Sequence, residues 1–231
     1  MLKNKNSEWG NDMDNYVSRF FTYEDTKNQD IFYSLPNHWW SRHYEYIWAA
    51  HFVEKDHVVL DAACGLGHPF KYYLVDKCKE VYACDMDERI LDRDEIIKEL
   101  EYYVGKANID QINLSTLSKP NITIADISKL PYEDAKFDVA FCISVMEHIE
   151  DMSVQLRALE EFKRVLKDGG KLIITVDYPD VHVEKFLSLI DEAGLQLAGD
   201  HDFTKPANAI TSDFYGRDLW CIRFVLEKNN V

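Results

Sequence analysis

The stretch "VVLDAACGLGHP", residues 58–69, joins an apolar run to a turn that contains two glycines. Three apolar residues followed by Asp61 are typical of a buried strand that ends at a carboxylate. Gly65 and Gly67 have no side chain, so the backbone of this turn can lie close to a ligand. Two interpretations follow: the turn binds a ligand, or it is a tight corner that binds nothing.

Nucleotide-phosphate motifs are incomplete at this turn. A dinucleotide-binding GxGxxG motif needs a third glycine at the position that Phe70 occupies. A P-loop needs a lysine followed by serine or threonine, and the turn has no such pair. An oxidoreductase that uses a nicotinamide dinucleotide is therefore disfavoured.

The chain beyond residue 56 alternates short apolar runs with segments of helical spacing, which predicts a parallel sheet with right-handed crossovers. The predicted strands are "HVVLDAAC", "EVYACD", "NITIAD", "FDVAFCI", "KLIITVDY", "LQLAGDHDF" and "LWCIRFVLE". No helical pattern separates the last two runs, so we expect an antiparallel pair at one edge. The helix before the fifth strand is expected to end at Gly169 and Gly170. Residues 105–120 show no clear period, which indicates either a short helix or a functional loop.

The 231 residues carry a net charge of −15 and are 46% apolar, which favours one substantial core. An acidic surface repels phosphate backbones and anionic lipid, so neither nucleic acid nor a membrane is expected as a partner. The five cysteines stand singly, without metal-binding spacing, which predicts free thiols in a reducing compartment. We expect a cytoplasmic monomer or homodimer.

Two further carboxylates follow predicted strands. Asp85 ends the second strand and Asp126 ends the third. Because the carboxyl ends of parallel strands meet at one edge of a sheet, both are expected beside the glycine turn. Asp85 lies where a ribose diol would be held, and Asp126 where an adenine amino group would donate. A helix N-cap or a loop carboxylate is the alternative for each.

Together these motifs resemble those of the class I S-adenosylmethionine-dependent methyltransferases. "VLDAACGLG" is similar to the first motif of that family, with Ala63 in place of its first glycine. "ACD", "IADI", "FDVAFCISVMEHIED" and "EEFKRVLKDGGKLIIT" are similar to the later motifs, and the resemblance covers residues 56–178. It implies an α/β, Rossmann-like fold: a seven-stranded, mostly parallel sheet with an antiparallel last strand and helices on both faces.

The resemblance also implies the cofactor, S-adenosylmethionine, and its product, S-adenosylhomocysteine. The methionine moiety would face the turn backbone at Ala63, Gly65 and Gly67, in a turn that Asp61 helps to shape. Asp85 would accept hydrogen bonds from the ribose hydroxyls. The other implied contacts are adenine packing by Met86, the adenine amino group at Asp126, a backbone contact at Ile127 and the methionyl amino group beside Cys142. Plain core packing is the alternative for Met86 and Cys142.

The acceptor is expected to be a small molecule. "CISVMEHI" lacks the Asp/Asn-Pro-Pro-aromatic motif with which DNA adenine methyltransferases stack a flipped base. A metal is not expected, because Asp177 is the one carboxylate offered where catechol-type enzymes bind one. His148, His182 and Asp177 are the candidate bases for a hydroxyl acceptor. For His148 the alternative is to cap the following helix or to pair with Glu147.

We therefore expect methyl transfer to a hydroxyl of a sugar or secondary metabolite. The resemblance leaves two alternatives open: a small-molecule N-methyltransferase, and a cofactor-binding regulator without catalysis. Binding of the cofactor together with an assay of transfer to a metabolite panel separates the three.

Residues 1–55 are predicted to form an N-terminal helical extension, and residues 56–231 the cofactor-binding domain. Four side chains of the extension share one helix face: Trp40, Tyr44, Ile47 and Trp48. The extension is expected to close over the cofactor as a lid; a helix packed permanently on the sheet is the alternative. Trp40 and Arg42 are placed in the cofactor site, where Arg42 pairs with the methionyl carboxylate or an anionic substrate. A surface ion pair is the alternative for Arg42.

Overall fold

The computed structural model describes residues 12–229, and within them ten strands form one sheet. The strands are β1 (Ser18–Phe20), β2 (Val58–Ala62), β3 (Glu80–Asp85), β4 (Asn121–Ile124), β5 (Phe137–Ile143), β6 (Leu166–Tyr178), β7 (Leu195–Leu197), β8 (His201–Asp202), β9 (Thr211–Ser212) and β10 (Leu219–Lys228). The order across the sheet is β4-β3-β2-β5-β6-β10-β1-β8, and β7 and β9 also pair with β10. Strands β2 to β6 pair in parallel, and β10 is antiparallel to β6. The predicted α/β class, mostly parallel sheet and antiparallel last strand are confirmed.

Helices cover both faces of the sheet. They are α1 (Asp12–Asn15), α2 (Arg42–Ala50), α3 (Phe70–Tyr73), α4 (Arg93–Val104), α5 (Met152–Val165) and α6 (Val183–Glu192). The buried residues of α5 and α6 join one apolar cluster, whereas those of α2, α3 and α4 join the cluster on the opposite face. In α5 the apolar stripe consists of Ala158, Leu159, Phe162 and Val165, all fully buried, which is the spacing of an amphipathic helix.

The N-terminal segment contributes a strand to the sheet as well as a helix. Strand β1 pairs antiparallel with β10 at Arg19 and Phe20. The buried Ser18 hydroxyl accepts a hydrogen bond from the Val225 amide at 3.0 Å. The prediction that the N-terminal extension is helical throughout is therefore corrected, because residues 18–20 form a strand beside β10. Residues 1–11 of the predicted extension lie outside the described residues, and its role as a lid stays a prediction.

Two local predictions are corrected, the end of α5 and the number of strands, and the short-helix alternative for residues 105–120 is present. Helix α5 ends at Val165 rather than at Gly169 and Gly170, because Leu166 already pairs with Phe137 of β5. The two glycines therefore lie inside β6. The connection at 105–120 holds two short 3₁₀ helices, Lys106–Gln111 and Leu114–Ser118. The predicted seven strands become ten, because β1, β8 and β9 are short additions at the edge. Among the described residues, no helix is long and apolar enough to cross a membrane.

Candidate functional site

The glycine turn lies at the carboxyl edge of the parallel strands, directly after β2. Ala63 and Gly65 have φ angles of 50° and 62°, in the left-handed region that favours glycine. The Gly65 amide donates to Oδ2 of Asp85 at 2.8 Å, and the Asp87 amide donates to Oδ1 at 3.0 Å. The predicted proximity of Asp85 to the turn is therefore present. Ala63 departs from the glycine of the family motif but keeps a conformation that glycine adopts more easily.

A buried lysine holds this turn from below. Lys71, in α3, is fully buried, and its ammonium donates to the carbonyl oxygens of Gly65 at 2.6 Å and His68 at 2.8 Å. Longer contacts reach the carbonyls of Cys64 and Leu66 at 3.3 and 3.4 Å. Sequence reasoning missed Lys71. The available signal was a single lysine inside the apolar run "PFKYYLV", where a surface helix would place it toward solvent.

Asp61, the last acidic residue of β2, is buried beneath the same turn, with Oδ2 lacking a hydrogen-bond partner. Burial raises the pKa of Asp61 to about 7; Lys71 opposes this effect and Asp85 adds to it. This carboxyl therefore titrates near neutral pH. Asp61 is buried away from solvent, and its role of shaping the turn stays a prediction.

The space above the two glycines is filled by side chains of the protein itself. A Cβ atom on Gly65 would lie 2.5 Å from Cδ2 of His68, and one on Gly67 would lie 2.7 Å from Cε2 of Tyr103. Trp39 stacks on His68 with 4.1 Å between ring centroids and 8° between planes. Aromatic rings therefore lie against the two glycines, and the predicted contact of this turn with the cofactor stays a prediction.

The His68 ring is fixed on its other side by Tyr46, whose hydroxyl lies 2.7 Å from Nδ1. Burial lowers the pKa of His68 well below its ordinary value, and the charges of Arg42 and Lys71 lower it further. The imidazole is therefore neutral at physiological pH. Through these contacts Trp39 and Tyr46 connect the N-terminal segment to His68 of the glycine turn.

The predicted adenosine contacts lie along the same edge with differing exposure. Met86 is 69% exposed directly after β3. Asp126 is exposed after β4, where its Oδ1 accepts from the Ser128 amide at 2.8 Å, and Ile127 is buried. Cys142 is fully buried within β5 and packs in the core, as in the alternative given for it, and its place beside the methionyl amino group stays a prediction.

A cavity of about 250 Å³ opens beside the carboxyl ends of β5 and β6. It brings together four of the predicted site residues, Trp40, Arg42, His148 and Asp177, with others that were not predicted, among them Ser144 and Glu147. His182 is not among them. It precedes α6 and lines a neighbouring groove of about 350 Å³, which shares Glu147 and Asp180 with the cavity.

Arg42 forms a buried ion pair rather than a surface one. Its Nη1 donates to Oε2 of Glu45 at 2.5 Å and to the Ser144 hydroxyl at 2.7 Å. Glu45 is fully buried; its Oε1 accepts from Ser144 at 2.8 Å and from the Thr175 hydroxyl at 2.5 Å. The Arg42 guanidinium and these hydroxyls hold the pKa of Glu45 below its ordinary value against the opposing effect of burial. This network ties α2 to the ends of β5 and β6.

Glu147 and Asp177 are the unpaired acids of the cavity. Both carboxylate oxygens of Glu147, and Oδ1 of Asp177, are buried without a hydrogen-bond partner. Burial raises the pKa of Glu147 well above its ordinary value, and the charge of Asp177 raises it further. Burial and the charge of Glu45 raise the pKa of Asp177 to about 7, against the opposing effect of Arg42. The neighbouring His148 is exposed, with its pKa lowered by partial burial and by Arg42.

Metal-ligand spacing occurs at one place in the described part of the chain. Glu54, Asp56 and His57 bring their ligand atoms within 4.8 Å of one another, on an exposed stretch before β2. None of these three residues lines the cavity.

Comparison with known proteins finds a family model and solved structures that are similar to this chain. The model of the methyltransferase domain family matches residues 60–174. A solved S-adenosylmethionine-dependent methyltransferase from Clostridium acetobutylicum shares the fold at a TM-score of 0.56 and 16% identity, covering 84% of this chain and 98% of that one. The chain belongs to the methyltransferase domain family, and its fold is that of the class I S-adenosylmethionine-dependent methyltransferases.

Curated relatives of this methyltransferase are longer than the matched regions. An uncharacterized protein of Methanocaldococcus jannaschii is 31% identical over 123 residues, which is 53% of this chain and 42% of the relative. Methyltransferase GfsG of Streptomyces halstedii is 27% identical over 170 residues, which is 63% of this chain and 55% of the relative. The matches thus span about half of each relative's length.

The family match divides the site of this methyltransferase in two. Residues 60–174 contain the glycine turn, Asp85, Asp126 and Glu147. Arg42 and Asp177, which line the cavity, lie outside the matched residues. The cofactor edge therefore lies within the matched residues, whereas the cavity is lined by residues both inside and outside them.

Proposed function

We propose that this protein transfers the methyl group of S-adenosylmethionine to a hydroxyl of a small molecule, such as a sugar or secondary metabolite, bound in the cavity. One observation carries the proposal: a 250 Å³ cavity with unpaired carboxylates adjoins the carboxyl edge that holds the family's cofactor turn. A space of this size suits a small acceptor. The net charge of −15 disfavours a nucleic-acid acceptor.

The cofactor edge fits the adenosine half of S-adenosylmethionine. Each oxygen of Asp85 already accepts one backbone N–H and has a further lone pair for a ribose hydroxyl. Met86 offers an exposed apolar side chain for one face of adenine, and Asp126 an exposed carboxylate for its amino group, with Ile127 beside it. The turn at 63–67 supports the methionine half.

The role proposed for Asp177 is to accept the proton of the acceptor hydroxyl. When bound, S-adenosylmethionine would supply an electrophilic methyl; the oxygen–carbon bond would form as the carbon–sulfur bond breaks, and the leaving group would be a neutral thioether. Asp177 suits proton transfer at neutral pH because its pKa is raised to about 7 by burial. His148 is the second candidate in the same cavity, and His182 lies in the neighbouring groove. Ser144 and Arg42 hold the cavity wall in place through Glu45.

Location in the cytoplasm is part of the proposal. All five cysteines are buried and unpaired, as expected for a protein that matures in a reducing compartment.

The test begins with calorimetric titration of S-adenosylmethionine and S-adenosylhomocysteine, followed by transfer of labelled methyl to a panel of hydroxylated and amine metabolites. We expect micromolar-range cofactor binding and product from a hydroxyl acceptor. Asp177→Asn should retain cofactor binding and lose most transfer, whereas Asp191→Asn, an exposed match on α6, should keep both. Binding without transfer to any acceptor supports the regulator, and methylation of amines alone supports the N-methyltransferase.

A further inference from the structure

The cavity contains a buried acceptor group that nothing in the described structure satisfies. Glu147 follows β5, and neither of its carboxylate oxygens has a donor, although both are shielded from solvent. A carboxylate in this state is costly, because it has lost water without gaining a hydrogen bond. A bound molecule with hydrogen-bond donors would satisfy the two carboxylate oxygens of Glu147.

The two arginines that line the cavity are already paired with other carboxylates, so neither is a dedicated counter-charge for Glu147. Arg42 is bonded to Glu45 at 2.5 Å. Arg217 forms a bidentate ion pair with Asp180, which also lines the cavity. Asp177 adds a second carboxyl with an unpaired oxygen. The side chains facing Glu147 therefore leave negative charge uncompensated when the two acids ionise.

The remaining wall of the cavity is aromatic. His38, Trp39, Trp40 and Tyr215 line it, and His38 stacks on Phe214 with 5.7 Å between ring centroids. Aromatic faces beside buried carboxylates favour a cationic ligand, since the ring quadrupole attracts positive charge. A neutral molecule that carries only hydroxyl groups interacts less strongly with the carboxylates and with these ring faces than a cation does.

We infer that the acceptor carries a protonated amino group that Glu147 binds, next to the hydroxyl that Asp177 serves; its chemical class is an amino alcohol or amino sugar. This inference rests on the proposed function and names its substrate class. The ammonium supplies the donors that Glu147 lacks, and the carboxylate supplies its counter-charge. The hydroxyl proton leaves to Asp177, so the ammonium keeps its own protons throughout.

The test compares a vicinal aminocyclohexanol with the corresponding vicinal cyclohexanediol, which differ by one amino group at equal size. Both are titrated by ligand-observed NMR at pH 8 against the full chain, first free and then loaded with S-adenosylhomocysteine. We expect the amino alcohol to bind about tenfold or more tightly than the diol. Glu147→Gln should abolish this preference, and Glu184→Gln, exposed on α6, should preserve it.

Three results overturn the inference: equal binding of the two probes, binding of neither, or a preference that survives Glu147→Gln in a protein of unchanged melting temperature. Failure of the proposed function has a different signature. In that case S-adenosylhomocysteine does not bind at all. The calorimetric titration of the cofactor measures this, whereas the probe preference is measured on the free chain.

Discussion

Replacing Lys71 by methionine tests the support beneath the glycine turn. The substitution keeps an unbranched side chain and removes the ammonium that bonds the Gly65 and His68 carbonyls at 2.6 and 2.8 Å. Charge-assisted hydrogen bonds contribute about 1.5–3 kcal/mol each, and relief of the buried charge offsets part of that, leaving a loss of about 3 kcal/mol. At about 2–4 °C per kcal/mol for a chain of this size, Tm should fall by about 6–12 °C.

Differential scanning calorimetry measures this loss, and Lys79→Met is the matched control. Lys79 is 62% exposed in the same region and should change stability by less than about 0.5 kcal/mol. Affinity for S-adenosylhomocysteine should fall in Lys71→Met as well, because the turn loses its fixed conformation. A Tm within about 2 °C of the parent, one-third of the smallest expected shift, together with unchanged affinity would refute the idea that Lys71 holds the turn.

Four further outcomes are expected. Asp85→Ala should weaken S-adenosylhomocysteine binding by about tenfold or more in calorimetry, and unchanged affinity of a folded variant would sink the ribose assignment. Asp177→Asn should be more stable than the parent by about 1–3 kcal/mol at pH 8, because ionising this buried carboxyl is costly. In urea unfolding the gain in stability should shrink as pH falls from 7 to 4, and a gain that does not depend on pH contradicts the prediction. Gly67→Ala should cost about 1–3 kcal/mol, since its Cβ meets Tyr103, and an unaltered Tm argues against that contact. Hydrogen exchange of residues 39–50 should slow on adding S-adenosylhomocysteine, and equal protection in both states rules out the lid.

The parallel strands and the cofactor edge were predictable because both follow from local pattern. Buried parallel strands have continuous apolar runs, so "FDVAFCI" and "KLIITVDY" identified β5 and β6 without tertiary information. The carboxyl ends of such strands meet at one edge, which placed Asp61 and Asp85 near the turn. These inferences use chain order and a period of apolar residues alone.

The features that escaped prediction depend on contacts between distant segments. Strand β1 has three residues, too few for a period to show, and forms because β10 offers it a free side. The burial of Lys71 depends on four carbonyls that turn toward α3, which no spacing reveals. Cys142 and Ser144 differ in role because the strand ends between them, and strand ends are the least certain boundaries in a sequence.

The pairing of β1 with β10 imposes an order on how the protein is made. Arg19 pairs with Arg223, about 200 residues later in the chain. During vectorial synthesis the aromatic segment after β1 therefore emerges long before its partner strand, and closing so long a loop is slow. A ribosome-bound chain that has reached β6 contains the cofactor turn, but the cavity wall formed with Arg217 and Leu219 is still unmade. Until β10 is made, β6 lacks its antiparallel partner, so the apolar surface that β10 covers in the folded protein stays exposed.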